Sequence, residues 1–238
     1  MKSALRVSIV IPAWNEAATI GDVVSEIRRL APSSLEAPFD IVVVDNGSTD
    51  ETAECARAGG ATLVSEPRRG YGRACLAGIA ATKPSDVVVF MDGDGSDDPG
   101  EIPLLLRPVE DGVADLVIGS RELGVAETHA HPWHAILGTR LCVGLMNLVV
   151  GTKATDLGPF RAIRTEALAT LGMEDTTFGW TTEMQIKAHR SGLRIVEVPV
   201  NYRRRKGGES KISGSWPASV RAGTRILGLI LRQSRMGN

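Results

Sequence analysis

Asp92 and Asp94 follow the apolar run Val88-Val89-Phe90-Met91 without a break, and Asp97 and Asp98 come directly after them. If strand geometry continues to its polar end, Asp92 and Asp94 project to one face, because strand side chains alternate with period two. Two adjacent carboxylates repel unless a cation compensates them. Gly93 and Gly95 let the backbone approach a bulky ligand, and hard oxygen donors suit Mg²⁺ or Mn²⁺ holding a diphosphate. The turn then forms half of a nucleotide-diphosphate site. Its competing assignment is an acidic turn capping the next helix, with Asp97 or Asp98 ahead of Pro99. That assignment suits Asp98 as well as a ligand role does, and suits the Asp92/Asp94 pair less.

The elements that must position these acids are short. Val7 to Ile11, Ile41 to Val44, Thr62 to Val64, Val87 to Met91 and Leu116 to Ile118 are rich in β-branched residues and read as buried strands. Helical stretches fall at about 17–31, 50–58, 72–82, 100–111 and 133–150. Alternating strands and helices imply an α/β fold with a mostly parallel twisted sheet and right-handed crossovers. Ligands should sit beyond the carboxyl ends of the strands. The polar clusters fall there: Pro12 to Glu16, Asp45 to Asp50, Glu66 to Arg69, Asp92 to Asp98 and Gly119-Ser120-Arg121.

Other nucleotide sites are excluded by their motifs. The chain has no G-x-x-x-x-G-K-[ST], and Gly70-Tyr71-Gly72 lacks the third glycine of a dinucleotide fingerprint. After the first strand stands Ile11-Pro12-Ala13-Trp14-Asn15-Glu16, and after the second Val44-Asp45-Asn46-Gly47-Ser48-Thr49-Asp50. In the latter, Ser48 or Thr49 with Asp50 and Glu51 would cap a helix, while Asp45 could accept hydrogen bonds from a base edge.

These segments, with the Asp-Gly-Asp turn and Gly119-Ser120-Arg121, resemble in order and spacing a family 2 glycosyltransferase of GT-A fold. The resemblance covers essentially the whole chain. Within that family, Asp156-Leu157-Gly158-Pro159-Phe160-Arg161 and Arg205-Lys206-Gly207-Gly208-Glu209-Ser210-Lys211 resemble the polyprenyl-phosphate mannose and glucose synthases. The resemblance implies that Pro12, Ala13, Glu16 and Asp45 hold the nucleoside of a GDP- or UDP-hexose, and that Asp92 and Asp94 engage its diphosphate and metal. Three positions depart from the synthase pattern. Asn46 stands where a second Asp is usual, Ser96 where a metal-binding Gln is common, and Gly158-Pro159 where Ser-Gly is expected. Ser96 is thus the least secure of the expected metal ligands, with water able to complete the shell of Mg²⁺.

Charge sets the expected mechanism. Cleaving a sugar–diphosphate bond leaves negative charge on the nucleotide, which a divalent cation and fixed guanidinium groups stabilise. Arg205 and Lys211 are the candidates for the second clamp, on a basic loop that closes over phosphate. The same run reads also as a solvated turn or nucleic-acid patch, but without interleaved aromatics no nucleic-acid groove is expected. A phosphate acceptor is largely dianionic near neutral pH and needs cations rather than a base. Arg121 and Arg140 match the positions where the synthases contact it. A hydroxyl acceptor requires a carboxylate base, for which the chain offers Glu183, with Asp156 second. Glu183 reads equally as an acid favoured in a helix's first turn. Attack opposite the leaving group would invert the anomeric configuration without a covalent intermediate. A hydroxyl-directed transferase and a non-catalytic sugar-nucleotide module are the competing functions, and the intact Asp92/Asp94 pair argues against the latter.

Composition bounds the rest. At 238 residues with 43% hydrophobic content the chain accommodates one large domain: a catalytic unit over 1–214, followed at 215–238 by a helix. Residues 201–238 carry nine Lys/Arg and one acid, a balance of +8, which leaves −9 for residues 1–200. Val220, Ile226, Leu227, Leu229, Ile230 and Leu231 among Arg221, Arg225, Arg232 and Arg235 compose a basic amphipathic helix. It suits either an anionic membrane interface or packing on the domain or a second subunit. Cys55, Cys75 and Cys142 have no metal spacing and point to a reducing, cytoplasmic setting. Arg6 leads straight into a strand, so no signal peptide is read, and no apolar run reaches the roughly 18 residues of a membrane span. His129, His131 and His134 flank Pro132-Trp133; without Cys or carboxylate partners they read as a loop over the acceptor rather than a metal site.

Overall fold

The structure, a computed structural model, describes residues 5–34, 39–125, 127, 133–205, 223–230 and 232. Seven strands form one sheet: β1 (Val7–Ala13), β2 (Phe39–Asp45), β3 (Thr62–Ser65), β4 (Val87–Phe90), β5 (Leu116–Ser120), β6 (Arg161–Arg164) and β7 (Ile195–Pro199). Their order is β3-β2-β1-β4-β6-β5-β7. All neighbours run parallel except at β6, which is antiparallel to both β4 and β5. The mostly parallel GT-A-type sheet expected from the sequence is present, with two strands, β6 and β7, that its patterning did not reveal.

The helices are α1 (Ile20–Ser34), α2 (Thr52–Ala58), α3 (Tyr71–Ala81), α4 (Ile102–Glu110), α5 (Trp133–Val150), α6 (Thr165–Leu171) and α7 (Trp180–Arg190). Because helices cover both faces of the sheet, its central strands β1 and β4 and most of β2 and β5 are apolar. Ile9, Ile11, Val43, Val87 and Val89 pack in one layer with α1 and α4, and Val10, Val88, Phe90, Leu116 and Ile118 pack in the other with Trp180 and Met184 of α7. Helix α3 lies close enough to the sheet that a Cβ at Gly78 would come within 2.4 Å of a Val10 methyl. Only glycine fits there.

The order of the strands positions the site. The order in which strands are added reverses between β1 and β4, which run parallel, so the crevice outside their carboxyl ends is the topological switch point where open α/β sheets bind ligands. Antiparallel β6 then contributes from its amino end. Arg161 pairs with Phe90 and Ile118, which brings the preceding 156–160 segment to the carboxyl ends of β4 and β5.

Beyond α7 and β7, residues 223–230 are helical. Ile226, Leu227 and fully buried Ile230 pack with Cys142, Val143 and Met146 of α5, and Arg225 lies 3.5 Å from Asp175. Over these residues the tail turns its apolar side onto the domain. Residues 206–222, which include Lys211, lie outside the described residues, as do His129 and His131, and the side chains of Trp133 and His134 are likewise not described. Among the described residues no helix is long and apolar enough to cross a membrane.

Candidate active site

Strand β4 ends at Phe90, so Asp92 and Asp94 lie in a turn rather than on a pleat. The period-two expectation for the pair therefore does not apply; the turn brings the two carboxylates together instead. Gly95, at φ 76°, makes the sharp bend a side chain would resist. Asp94 is 2% exposed, and its Oδ1 accepts from the Ser96 amide at 2.8 Å and the Ser96 hydroxyl at 2.6 Å. Ser96, expected among the metal ligands, lies fully buried with its hydroxyl donating to Asp94. Thr19, at the start of α1, donates to Gly93 O at 2.8 Å and ties the turn to β1's loop.

The remaining acids divide between scaffold and site. Asp98 caps the 3₁₀ turn Pro99–Glu101, accepting from Gly100 N at 2.8 Å. Asp97, 1% exposed, accepts from the Asp92 amide at 2.9 Å, and burial pushes its carboxyl up to about 7, with the charge of Asp94 adding to the effect. Burial, then Asp94 and Asp97, holds the Asp92 carboxyl well above the ordinary range. The turn is a concentration of negative charge in a desolvated place.

Two cations answer it. Arg205 Nη2 lies 2.6 Å from Asp94 Oδ2, and its Nη1 lies 3.8 Å from Glu16 Oε1. Arg121, at the end of β5, forms a fork with Asp156: Nε to Oδ2 and Nη2 to Oδ1, both 2.7 Å, with its amide on Oδ2 at 3.0 Å. Burial opposes the charge of Asp156, but Arg121 more than offsets it and holds that carboxyl below its ordinary value. The guanidinium also lies 5.2 Å above the ring of Tyr202. Arg140, exposed on α5, pairs with Glu122, the neighbour of Arg121, at 2.9 Å.

The end of the crevice expected to take the nucleoside is built from the β1 and β2 loops. Pro12 and Ala13 end β1 in register with Val44 and Asp45. Asp45 Oδ1 accepts from Ser48 N at 2.9 Å, Ser48 Oγ accepts from Asn15 N at 3.0 Å, and the Glu16 amide donates to Thr52 Oγ1 at 2.8 Å. Asp50, rather than Ser48 or Thr49, serves the start of α2, accepting from Thr52 N at 3.1 Å. Asn46 ties the end of β2 to the 66–70 loop. Its Nδ2 donates to Glu66 O and Arg68 O, both at 2.8 Å, and its Oδ1 accepts from Gly70 N at 2.8 Å. An aspartate could not donate those two bonds. At the rim, Arg69 lies 3.7 Å over the Trp14 ring.

Both candidate bases are committed. Glu183 is 2% exposed and accepts from Asp175 N at 2.8 Å and Glu174 N at 3.1 Å, with Lys187 Nζ at 2.8 Å. Its carboxylate holds the turn before α7. Asp156 holds Arg121, and its Oδ1 also accepts from Leu157 N at 2.6 Å. Residues 201–205, which sequence reasoning passed over except for the basic run, cross the acidic turn. Tyr202 forms an antiparallel bridge with Asp97, the Arg203 amide donates to Ser96 O at 2.9 Å, and Arg203 pairs with Asp98 and Glu26. Nothing in Val200-Asn201-Tyr202 signals this position beyond its place at the end of a strand.

A mostly parallel sheet whose strand ends gather an Asp-Gly-Asp turn and flanking arginines has the arrangement of a GT-A glycosyltransferase. Residues 8–172 match the pattern of Glycosyl transferase family 2, and the chain belongs to that family. It is 40% identical over 215 residues to an uncharacterized glycosyltransferase of Mycobacterium tuberculosis, covering 90% of this chain and 93% of that one. It is 33% identical over 227 residues, 88% of each chain, to the undecaprenyl-phosphate mannosyltransferase of Micrococcus luteus. Among solved structures, glucosyl-3-phosphoglycerate synthase from Mycobacterium tuberculosis in complex with Mn²⁺, UDP-glucose and phosphoglyceric acid superposes with a TM-score of 0.78 at 26% identity. The match covers 98% of this chain and 81% of that one.

Proposed function

We propose that this glycosyltransferase moves a hexose, mannose or glucose, from a GDP- or UDP-linked donor to a polyprenyl phosphate with inversion at the anomeric carbon. The observation that carries this reading is the commitment of both Glu183 and Asp156 to structural bonds. A site whose two candidate bases are both engaged suits an acceptor that arrives already ionised, as a phosphate monoester does. The mannosyltransferase similarity supports the same acceptor class.

In this reading Pro12, Ala13, Glu16 and Asp45 hold the nucleoside, and Asp92 and Asp94 hold Mg²⁺ or Mn²⁺. The residues fit such an ion through Asp94: its Oδ1 is held by Ser96, its Oδ2 stays clear of those bonds in a buried place, and hard carboxylate oxygens suit Mg²⁺ or Mn²⁺. Two protein carboxylates suit a cation that keeps phosphate and water oxygens in its shell. When bound, the ion supplies charge neutralisation for the departing diphosphate. In the same reading Arg205 is assigned to the diphosphate charge, as is Lys211 from outside the described residues, and Arg121 to the acceptor phosphate, with Arg140 joining it only by leaving Glu122. The Asp156 fork uses Nε and Nη2 of Arg121 and fixes the plane of the guanidinium.

A lipid-borne acceptor also accounts for an exposed apolar face. Leu137, Leu141 and Leu148 of α5 are 52%, 63% and 83% exposed, and α5 carries no acid. The 223–230 helix packs on the other side of α5, so the lipid-facing surface is α5's own face rather than the tail's.

The solved-structure similarity favours a second reading, transfer to a hydroxyl of a small phosphorylated acceptor with Glu183 as base. A radiolabelled GDP- and UDP-hexose panel, incubated with membranes or with phosphoglycerate and then extracted with organic solvent, separates the two. Label in the organic phase supports the lipid acceptor, and label only in water supports the second reading. No donor binding with Mg²⁺ or Mn²⁺ overturns both.

A further inference from the structure

Arg205 occupies the one carboxylate oxygen of Asp94 that its own turn leaves open. Oδ1 is held by the Ser96 amide and hydroxyl, while Oδ2 faces Arg205 Nη2 at 2.6 Å. Both acids that Arg205 meets are largely covered, Asp94 at 2% and Glu16 at 9%, and the Arg205 side chain is 24% exposed. A divalent cation on Asp94 would meet that guanidinium at short range in a poorly screened place, where like charges repel strongly.

The main chain carrying Arg205 is fixed by other residues. Asn201 donates to Glu101 through its amide and side chain, at 2.9 and 2.8 Å. Tyr202 bridges Asp97, Arg203 binds Ser96 O, Asp98 and Glu26, and the Arg204 amide donates to Glu127 at 2.8 Å. Releasing Asp94 therefore requires only a rotation of the Arg205 side chain, with the strap left in place. A diphosphate arriving beside Asp94 offers the guanidinium a better, bidentate partner.

We propose that Arg205 is an internal counter-cation: in the donor-free protein it stands on Asp94 where the divalent cation would bind, and it exchanges Asp94 for the donor diphosphate when the donor arrives. Metal alone is then bound weakly, and metal with nucleotide tightly. By linkage, nucleotide affinity rises with metal by the same factor. The inference rests on the donor-site reading above and adds to it an order of binding set by one side chain.

The test titrates Mn²⁺ into metal-free wild type, Arg205→Gln and Arg205→Lys, reading free Mn²⁺ by electron paramagnetic resonance, first alone and then with GDP or UDP. Arg205→Gln is expected to bind Mn²⁺ alone about tenfold more tightly than wild type, since an opposing charge is removed. Arg205→Lys, which keeps the charge without the fork, falls between them. With nucleotide present the order reverses. A larger upward shift of melting temperature by Mn²⁺ in Arg205→Gln is the second readout, and Arg205→Lys carries the comparison if the glutamine variant does not fold. Mn²⁺ affinity in the folded variants equal to or below that of wild type overturns the proposal. If wild type binds Mn²⁺ in neither condition, the donor-site reading itself fails.

Discussion

Arg121 and Asp156 lie 35 residues apart in sequence and meet in a two-bond fork, both bonds 2.7 Å, at the junction of parallel β5 with antiparallel β6. Reversal of β6 is what makes the contact: it returns the 156–160 segment to the end of the sheet where β5 delivers Arg121. The pair sits in a nearly dry place, Asp156 at 1% and the Arg121 side chain at 18% exposure. Removing one partner of such a pair leaves a buried charge without compensation and costs about 3–5 kcal/mol.

Arg121→Ala should therefore lower the free energy of unfolding by about that amount in urea titrations. Asp156→Asn keeps the shape and leaves the arginine's charge unpaired, and should in addition to lost stability raise KM for the phosphate acceptor with the donor KM unchanged. An Asp156→Asn enzyme with wild-type acceptor KM and kcat would show that the fork is scaffolding alone.

Glu183→Gln discriminates the acceptor classes. With a phosphate acceptor, turnover stays within about threefold of wild type, because the glutamine oxygen can still accept from Asp175 N and no proton transfer is lost. Stability should drop by about 1–2 kcal/mol, as Lys187 loses its charged partner. A fall in kcat of a hundredfold or more with donor binding intact would instead assign Glu183 the role of base.

Asn46→Asp, which restores the residue usual in the synthases, should weaken this protein. Two carbonyls that now accept from Nδ2 would face a carboxylate, at a cost of about 2–3 kcal/mol, and the 66–70 loop should loosen. The check is a paired measurement of melting temperature and nucleotide affinity, both expected to fall. Retention of both values would mean the loop is held by other contacts.

The same residue shows where sequence reading stops. Strand and helix positions in the first half were legible because Val7 to Ile11, Ile41 to Val44 and Val87 to Val89 carry continuous β-branched runs, as buried parallel strands do. Strand β6 was not, because Arg161-Ala162-Ile163-Arg164 opens and closes on arginine, and Arg161 is fully buried only by virtue of carbonyls of residues 158 and 181. Strand β7 alternates Glu197 with valines and ends on Pro199, a pattern that suits its half-covered edge position and equally a loop. At the site, motif spacing located the Asp-Gly-Asp turn and the strand-end clusters. Which hydroxyl serves which carboxylate depends on turn geometry, so the Ser96 bond to Asp94 could not be read from spacing.

Acid should weaken the far edge of the sheet through Asp115. Hydrogen bonds from the Arg194 side chain hold its carboxyl down to about 2, against 3.8 for an ordinary aspartate. A lowered folded-state value stabilises the fold above the unfolded value and loses that contribution as pH falls through about 2. Arg194 is 53% exposed, so screening reduces the gain to about 1 kcal/mol. Asp115→Asn should thus be less stable than wild type at pH 7 by that amount and indistinguishable near pH 2 in denaturant titrations. A difference that persists at pH 2 would assign the effect to lost packing rather than charge.

The exposed face of α5 is the last element with a measurable consequence. Leu137, Leu141 and Leu148 recur at helical spacing on one side, while Cys142, Val143 and Met146 on the other side are buried beneath Ile230. A monomer in water gains nothing from presenting such a stripe, whereas burial of each leucine in a lipid interface contributes about 1.5–3 kcal/mol. Wild type should co-sediment with vesicles of phosphatidylglycerol and phosphatidylcholine that contain no polyprenyl phosphate. Leu141→Glu with Leu148→Glu should abolish this, since two charges cannot be submerged and exposed side chains do not hold the fold. The double variant should keep its melting temperature and its transfer to a water-soluble short-chain polyprenyl phosphate, while transfer to long-chain acceptor in vesicles falls at least tenfold. Equal sedimentation of variant and wild type would remove α5 from the membrane contact and leave the acceptor assignment to stand on the committed carboxylates alone.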